Sequence, residues 1–214
     1  MTIKLHYLLA LFVLPVMSSC YPKGAEYNEE LDLVYTNYND QFDFSSKLTY
    51  ALPDSIIKIT GDNFDDGNGN GKPEFLSPAN TVAVFNQINQ NMAANGWTKV
   101  DKNSNPDVIL LVSAMTNVNI YYYYDWGYWG WWYPGYYPGW GWYYPGWYYP
   151  PYVTGYRSGS LFMQMVDAKA APGSDNVAVE WSAILNGLAE GSDLTSRAQK
   201  MIDAAYAQSP YLKH

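Results

Sequence analysis

Apolar positions along this chain follow two rhythms, a period of two and a period near 3.6, and the switches between them set out its elements. Leu31-Asp32-Leu33-Val34-Tyr35-Thr36 alternates enough to begin a strand, and Asn37 to Asp40 breaks it. Leu48 to Leu52 and Ser55 to Thr60 read as two further extended segments around Pro53-Asp54. The rhythm then changes. Ser77 offers an N-cap with Pro78 at the first helical position; Thr81, Val84, Phe85, Ile88 and Met92 recur at helical spacing, and Asn95-Gly96 supplies the stop. The simplest reading of this stripe is core rather than a binding face.

Val108 to Val112 is a continuous apolar run of the kind a buried strand shows. It passes into alternation, with Ala114, Thr116, Val118 and Ile120 on one side and Ser113, Asn117 and Asn119 on the other. Further on, Leu161, Met163 and Met165 alternate with Phe162, Gln164 and Val166. Val177, Val179, Trp181, Ala183 and Leu185 then alternate with Ala178, Glu180, Ser182 and Asn186. Three strands in succession predict an antiparallel meander with one wet face. A second helix closes the chain: Ser192 or Asp193 can cap it, Leu194, Ala198, Met201, Ile202, Ala205 and Tyr206 share a face, and Pro210 ends it. The order predicts an α+β fold: an antiparallel sheet, two helices packed on one of its faces, and a long aromatic hairpin insertion.

That insertion is the stretch Tyr121–Tyr152, where 20 of 32 residues are tyrosine or tryptophan and the rest are glycine, proline and Asp125. Tyr133-Pro134-Gly135-Tyr136, Tyr137-Pro138-Gly139-Trp140 and Tyr144-Pro145-Gly146-Trp147 repeat a turn-forming Pro-Gly pair, and the frequent prolines forbid one long strand. Each ring carries roughly 150–250 Å² of buriable surface. A quarter of them left exposed would present about 1,000 Å², against the roughly 300–600 Å² largest apolar patch of an ordinary soluble monomer. Three readings stay open: a compact loop with no ligand; a contact surface for a membrane interface, an envelope protein or a second copy (self-association); and glycan binding, since sugar C–H faces stack on rings. Tyr124, Trp126, Trp129, Trp131, Trp132, Trp140, Trp142 and Trp147 are the candidate contact residues.

The N-terminus carries a second signal. Lys4 precedes the apolar run Leu8–Val16, which is shorter than the roughly 20 apolar residues a spanning helix needs, and Met17-Ser18-Ser19-Cys20 follows. Small residues ahead of a lone cysteine predict a lipoprotein signal peptide over 1–19, with diacylglyceryl and palmitate-type acyl chains on Cys20 after cleavage. Ser18 and Ser19 fit a lipobox, while Met17 departs from its usual leucine. Residues 20–30 read as a tether, and 31–214 as a single α+β domain interrupted by 121–152. The expected address is the cell envelope, at the outer membrane, with the lipid as the membrane partner.

Charge and rare residues narrow the chemistry. Removing Lys4 from the 12 basic residues leaves 11 against 20 acidic ones, a net charge of −9 that repels phosphate backbones, so no nucleic-acid partner is expected. The two histidines are His6, inside the signal, and His214, the last residue; the one cysteine is Cys20. Ser-His-Asp and Cys-His catalysis and thiolate or histidine zinc sites therefore lack their parts. No catalytic residue is assigned and no enzyme is expected. The enzyme class left standing is a glycosidase using two carboxylates. The loop Asp66-Gly67-Asn68-Gly69-Asn70-Gly71-Lys72-Pro73-Glu74 matches the first half of a calcium loop, with Asp66, Asn68, Asn70 and Glu74 as the candidate ligands. Ser77 stands where a bidentate glutamate is expected, so a glycine-asparagine turn without a cofactor is the simpler reading. A calcium-assisted glycan-binding module is the alternative that would use both this loop and the rings.

Several short motifs, taken together, resemble a known family. They are Gln41-Phe42-Asp43-Phe44-Ser45-Ser46-Lys47-Leu48-Thr49-Tyr50, Asn105-Pro106-Asp107-Val108, Gly159-Ser160-Leu161 through Val166-Asp167-Ala168, and Val179-Glu180-Trp181 before the terminal helix. The chain resembles, over most of residues 30 to 210, the cell-envelope lipoproteins catalogued as domain of unknown function 4136, common in Bacteroidota and other Gram-negative bacteria. The resemblance implies an address and a fold; the family has no established activity. Asp62 to Gly71 looks like a local elaboration on that pattern.

Overall fold

The computed structural model describes residues 33–59, 75–115, 141–143, 159–169, 176–187 and 194–214. Its elements are β1 (Leu33–Tyr38), β2 (Thr49–Ala51), β3 (Ile57–Ile59), α1 (Pro78–Ala94), β4 (Thr98–Lys99), β5 (Val108–Met115), β6 (Gly141–Tyr143), β7 (Ser160–Asp167), β8 (Asn176–Asn186) and α2 (Leu194–Ala207). Single 3-10 turns, Phe44–Ser46 and Pro210–Leu212, follow β1 and α2.

The sheet runs β1-β8-β7-β5-β2-β4, with β3 also paired to β5 and the short β6 paired in parallel to the start of β8. β5, β7 and β8 are antiparallel neighbours, as the alternation predicts, and β1 adds to this half by pairing antiparallel with β8. The other half is not. β2 and β3 both run parallel to β5, and β4 runs parallel to β2, so the sheet is mixed rather than antiparallel. The reason is the helix between them: a strand that returns through a helical crossover comes back parallel to the one it left. β2 pairs with the first residues of β5 and β3 with its last, so the two make one strand broken at Leu52–Ile56, where buried Pro53 cannot donate to a ladder.

Local chemistry fixes α1. The Ser77 hydroxyl accepts from the Asn80 amide at 3.4 Å, Pro78 opens the helix, and Gly96 takes φ +91° just beyond its end. A side chain at Gly96 would also meet His214 Cβ at 3.0 Å, because the chain end packs over this stop. The buried residues of α1 are the predicted Thr81, Val84, Phe85, Ile88 and Met92. Those of α2 include Ala198, Met201, Ile202, Ala205 and Tyr206, and these, with Val84, Phe85, Ile88 and Met92 of α1, share one cluster with Leu110, Val112, Met163, Met165, Trp181, Ala183 and Leu185. Large apolar side chains of this kind contribute about 1.5–3 kcal/mol each when fully buried.

The opposite face departs from expectation. Ile109, Leu111, Phe162, Val166 and Ile184 lie outside the cluster that the helices join, yet all are buried, as are Ser113, Gln164 and Ser182 between them. The predicted wet face is therefore dry in the described region. Both phases of these strands are largely apolar, which is the pattern of a strand buried on two sides. A second correction lies in β8: Met165 pairs with Trp181 but Val166 with Val179, so Glu180 is the extra residue of a β-bulge and the simple alternation through Val177 and Val179 slips there.

Candidate functional site

Most of the motifs that carry the family resemblance meet at one end of the sheet, where the end of β1, the end of β7 and the turn before β2 lie beside the start of β5 and the Glu180 region of β8; Gly159-Ser160-Leu161 lies at the other end, opposite Ala114 and Met115. Asn105 takes φ +54°, a conformation asparagine tolerates, and Pro106 fixes the next φ; together they deliver Asp107 to the first turn of β5. Asp107 Oδ2 accepts from the Leu48 amide at 3.0 Å, the Thr49 amide at 3.0 Å and the Thr49 hydroxyl at 2.8 Å. The Asp107 amide in turn donates to the Thr49 carbonyl and approaches its hydroxyl at 3.0 Å. Oδ1 takes the Lys169 ammonium at 2.6 Å, and the Ala168 amide donates to the Asp107 carbonyl. One side chain thus ties the entry of β2 and the exit of β7 to the start of β5. Partial burial pushes its carboxyl up, but the ammonium, the two amides and the hydroxyl more than offset that and hold it well below the usual carboxylate range.

Glu180 sits at the same end in a different state. It is 4 % exposed, and its Oε2 accepts from Asn39 Nδ2 at 2.7 Å while its carbonyl takes the Asn39 amide at 2.8 Å. Asn39 Oδ1 accepts from the Gln41 amide, which fixes the amide's orientation. Burial raises the Glu180 carboxyl above its ordinary range; the Asn39 bond opposes this, Asp167 adds to it and Lys47 opposes it. Lys47 itself lies 5.2 Å from the Phe42 ring centroid. The bulge, the role of Asn39 and that of Lys169 were not legible in the sequence. Glu180 is marked in the sequence as a polar-phase residue of its strand and as part of the Val179-Glu180-Trp181 motif, and neither signal points to its burial.

The remaining motif residues build an aromatic knot beside this end. Asp43 holds the 3-10 turn by accepting from the Ser45 hydroxyl at 2.6 Å, which lowers its carboxyl, and its carbonyl accepts from Ser46. Phe44 then packs among Phe42, Tyr38 and Tyr211, with Tyr38 stacked on Tyr211 at 3.7 Å. Trp181 Nε1 donates to Ser209 Oγ at 2.9 Å, and that hydroxyl donates to the Ala205 carbonyl. Tyr211 OH also donates to Ser209. Trp97 Nε1 closes the C-terminal segment by donating to the Leu212 carbonyl at 2.7 Å. The Tyr206 hydroxyl is buried without a partner among the described residues, and burial raises it well above its ordinary value.

Most of the sequence-derived candidates, namely Cys20, Asp66, Asn68, Asn70, Glu74, Tyr124, Trp126, Trp129, Trp131, Trp132, Trp140 and Trp147, lie outside the described residues. Trp142 falls in β6, where its backbone pairs with Val177. Among the described residues no three His, Cys, Asp or Glu side chains converge on a metal-sized site, and no helix is long and apolar enough to cross a membrane.

These features define an α+β domain with a mixed sheet, two helices and a hydrogen-bonded polar latch at one sheet end. The chain belongs to the family described as Domain of unknown function (DUF4136), whose model matches residues 34–211. It is similar to a crystal structure of a DUF4136 family protein from Bacteroides thetaiotaomicron, with 33% identity and a TM-score of 0.63, over 85% of this chain and 97% of that one. It also aligns with the PelC dodecamer from Paraburkholderia phytofirmans, with 15% identity and a TM-score of 0.40, over 86% of this chain and 99% of that one. No curated protein matches the chain.

Proposed function

We propose that this chain is a lipid-anchored protein of the cell envelope, at the outer membrane, with a non-catalytic binding or structural role. Cys20 carries the acyl chains once residues 1–19 are removed, and the aromatic segment 121–152 is the contact surface. The observation that supports a non-catalytic role is the state of Asp107. Its two oxygens take four donors from Leu48, Thr49 and Lys169, so the most perturbed carboxylate of the described residues is spent on joining strands. A base saturated in this way is poorly placed to take a proton from a substrate.

The finer reading of the aromatic segment as a hairpin rests on register. β5 and β7 are antiparallel neighbours with Met115 opposite Ser160, so residues 116–159 join adjacent strand ends. The twenty rings of Tyr121–Tyr152 supply the surface.

Fractionation of cells expressing the full chain tests the anchor. Cys20→Ala should move the protein from membranes to the soluble fraction; full retention on membranes would refute lipid anchoring. Replacing 121–152 by a short Asn-Gly turn tests the contact surface. A variant that keeps the wild-type melting temperature should lose retention on delipidated envelope fractions, and unchanged retention would refute that role.

A further inference from the structure

We propose that the outer edge of β1 is a self-complementary docking edge, on which β1 of a second copy pairs antiparallel about a two-fold axis at Thr36. Among the described residues β1 ends the sheet, with β8 on one side only. The Asn39 amide donates to the Glu180 carbonyl, and Tyr38 lies opposite Trp181. Alternation therefore turns the backbone groups of Leu33, Tyr35 and Asn37 toward β8, and those of Val34, Thr36 and Tyr38 outward.

Two of the outward groups are already taken. Gln208 Nε2 reaches the Val34 carbonyl at 3.4 Å, and Asn37 Oδ1 accepts from the Tyr38 amide at 3.0 Å. The amides of Val34 and Thr36 and the carbonyls of Thr36 and Tyr38 take no partner among the described residues.

Pairing about Thr36 sets Thr36 against Thr36 of the second copy and Val34 against its Tyr38. In that register each Thr36 amide meets the other copy's Thr36 carbonyl, and each Val34 amide meets the other copy's Tyr38 carbonyl. Every open group is matched by an open group. The two capped groups face one another, so capping removes no bond that the open groups need. The side chains agree: β1 carries no charge and no proline, Val34, Tyr35, Thr36 and Tyr38 are strand formers, and Val34 opposite Tyr38 is a favourable aromatic and β-branched pair. Leu33 and Tyr38, 64% and 39% exposed, would gain cover. The exposed Asp40 just past the strand and the net charge of −8 oppose approach, so added salt should strengthen the association.

The test uses the full chain in detergent, its mass followed by light scattering over a range of concentrations. Wild type is expected to pass from monomer to dimer. Thr36→Pro removes an outward amide that β8 does not use and one long, exposed hydroxyl bond to Gln208, so it should lower melting only slightly while weakening association at least tenfold. Thr36→Cys should form a disulfide-linked dimer under mild oxidation, because residues directly opposite lie within disulfide reach. Leu33→Cys, exposed but far from its own copy across the axis, should not; wild type with Cys20 alone controls for that thiol. A protein that stays monomeric at every concentration would overturn the proposal. So would a dimer that Thr36→Pro leaves intact and Thr36→Cys fails to cross-link.

Discussion

Asp107 and Glu180 stand at the same end of one sheet, and their surroundings drive them in opposite directions. Asp107 is partly exposed and accepts from two amides, a hydroxyl and an ammonium, which keeps it charged far into acid. Glu180 is almost wholly buried and accepts one bond from Asn39, so burial prevails and its carboxyl rises. Burial and donor count together decide between them, more than position along the sheet. A carboxylate with all lone pairs engaged behaves as a strand connector, while one with a single neutral donor carries a cost for its charge.

The sharpest way to break the comparison is to remove the connector. Asp107→Ala should cost about 2–4 kcal/mol, because the Leu48 amide and the partly buried Thr49 amide and hydroxyl lose a charge-assisted acceptor. Urea unfolding reads this directly. Thr49→Val keeps the shape and removes only the hydroxyl; a loss of about 1–2 kcal/mol is expected by the same measurement. Glu180→Gln should change stability at neutral pH by less than about 1 kcal/mol and toward a gain, since the Asn39 bond can survive while the buried charge goes. A loss as large as that of Asp107→Ala would erase the distinction. Lys169→Met should have the smallest effect, reduced further by salt, because the ammonium is largely exposed.

The two acids also carry opposite pH signatures. Asp107 is lowered in the folded protein, so its contribution is complete above its ordinary pKa of about 3.9 and is lost as pH falls toward the folded value. Glu180 is raised, so the folded state binds its proton more tightly. Its contribution is present below its ordinary pKa of about 4.3 and is lost as pH rises through the folded value. Stability curves of Glu180→Gln should lack that loss on the rising side, and wild type should show it.

Much of the helical half was legible because its signals are local. Ser77-Pro78, the stripe from Thr81 to Met92 and the stop at Gly96 all lie within one stretch, and the structure uses each as predicted. The longer strands were legible too, as was the antiparallel meander of β5, β7 and β8, but the short β4 and β6 and the parallel pairings were not. Parallel pairing of β2 and β3 with β5 depends on how α1 carries the chain back, and nothing in Thr49–Ala51 or Ile57–Ile59 marks it. The bulge at Glu180 leaves no compositional trace, and its Asn39 partner lies 141 residues away. The dry second face was half visible in the run Val108–Val112, whose two phases are both apolar. Ser113, Gln164 and Ser182 argued for water there, because polarity was read without burial. The motif pairs became intelligible only when Thr49 and Asp107, 58 residues apart, proved to hold each other.

The central claim is that the acid at the start of β5 is spent on joining strands. Urea unfolding of wild type and Asp107→Asn between pH 2.5 and 7 tests it most directly. The account predicts that wild type loses stability progressively below about pH 4, while the variant starts lower and is flatter over the same interval. Parallel curves for the two proteins would contradict it, and would place the acid-sensitive charge somewhere other than Asp107.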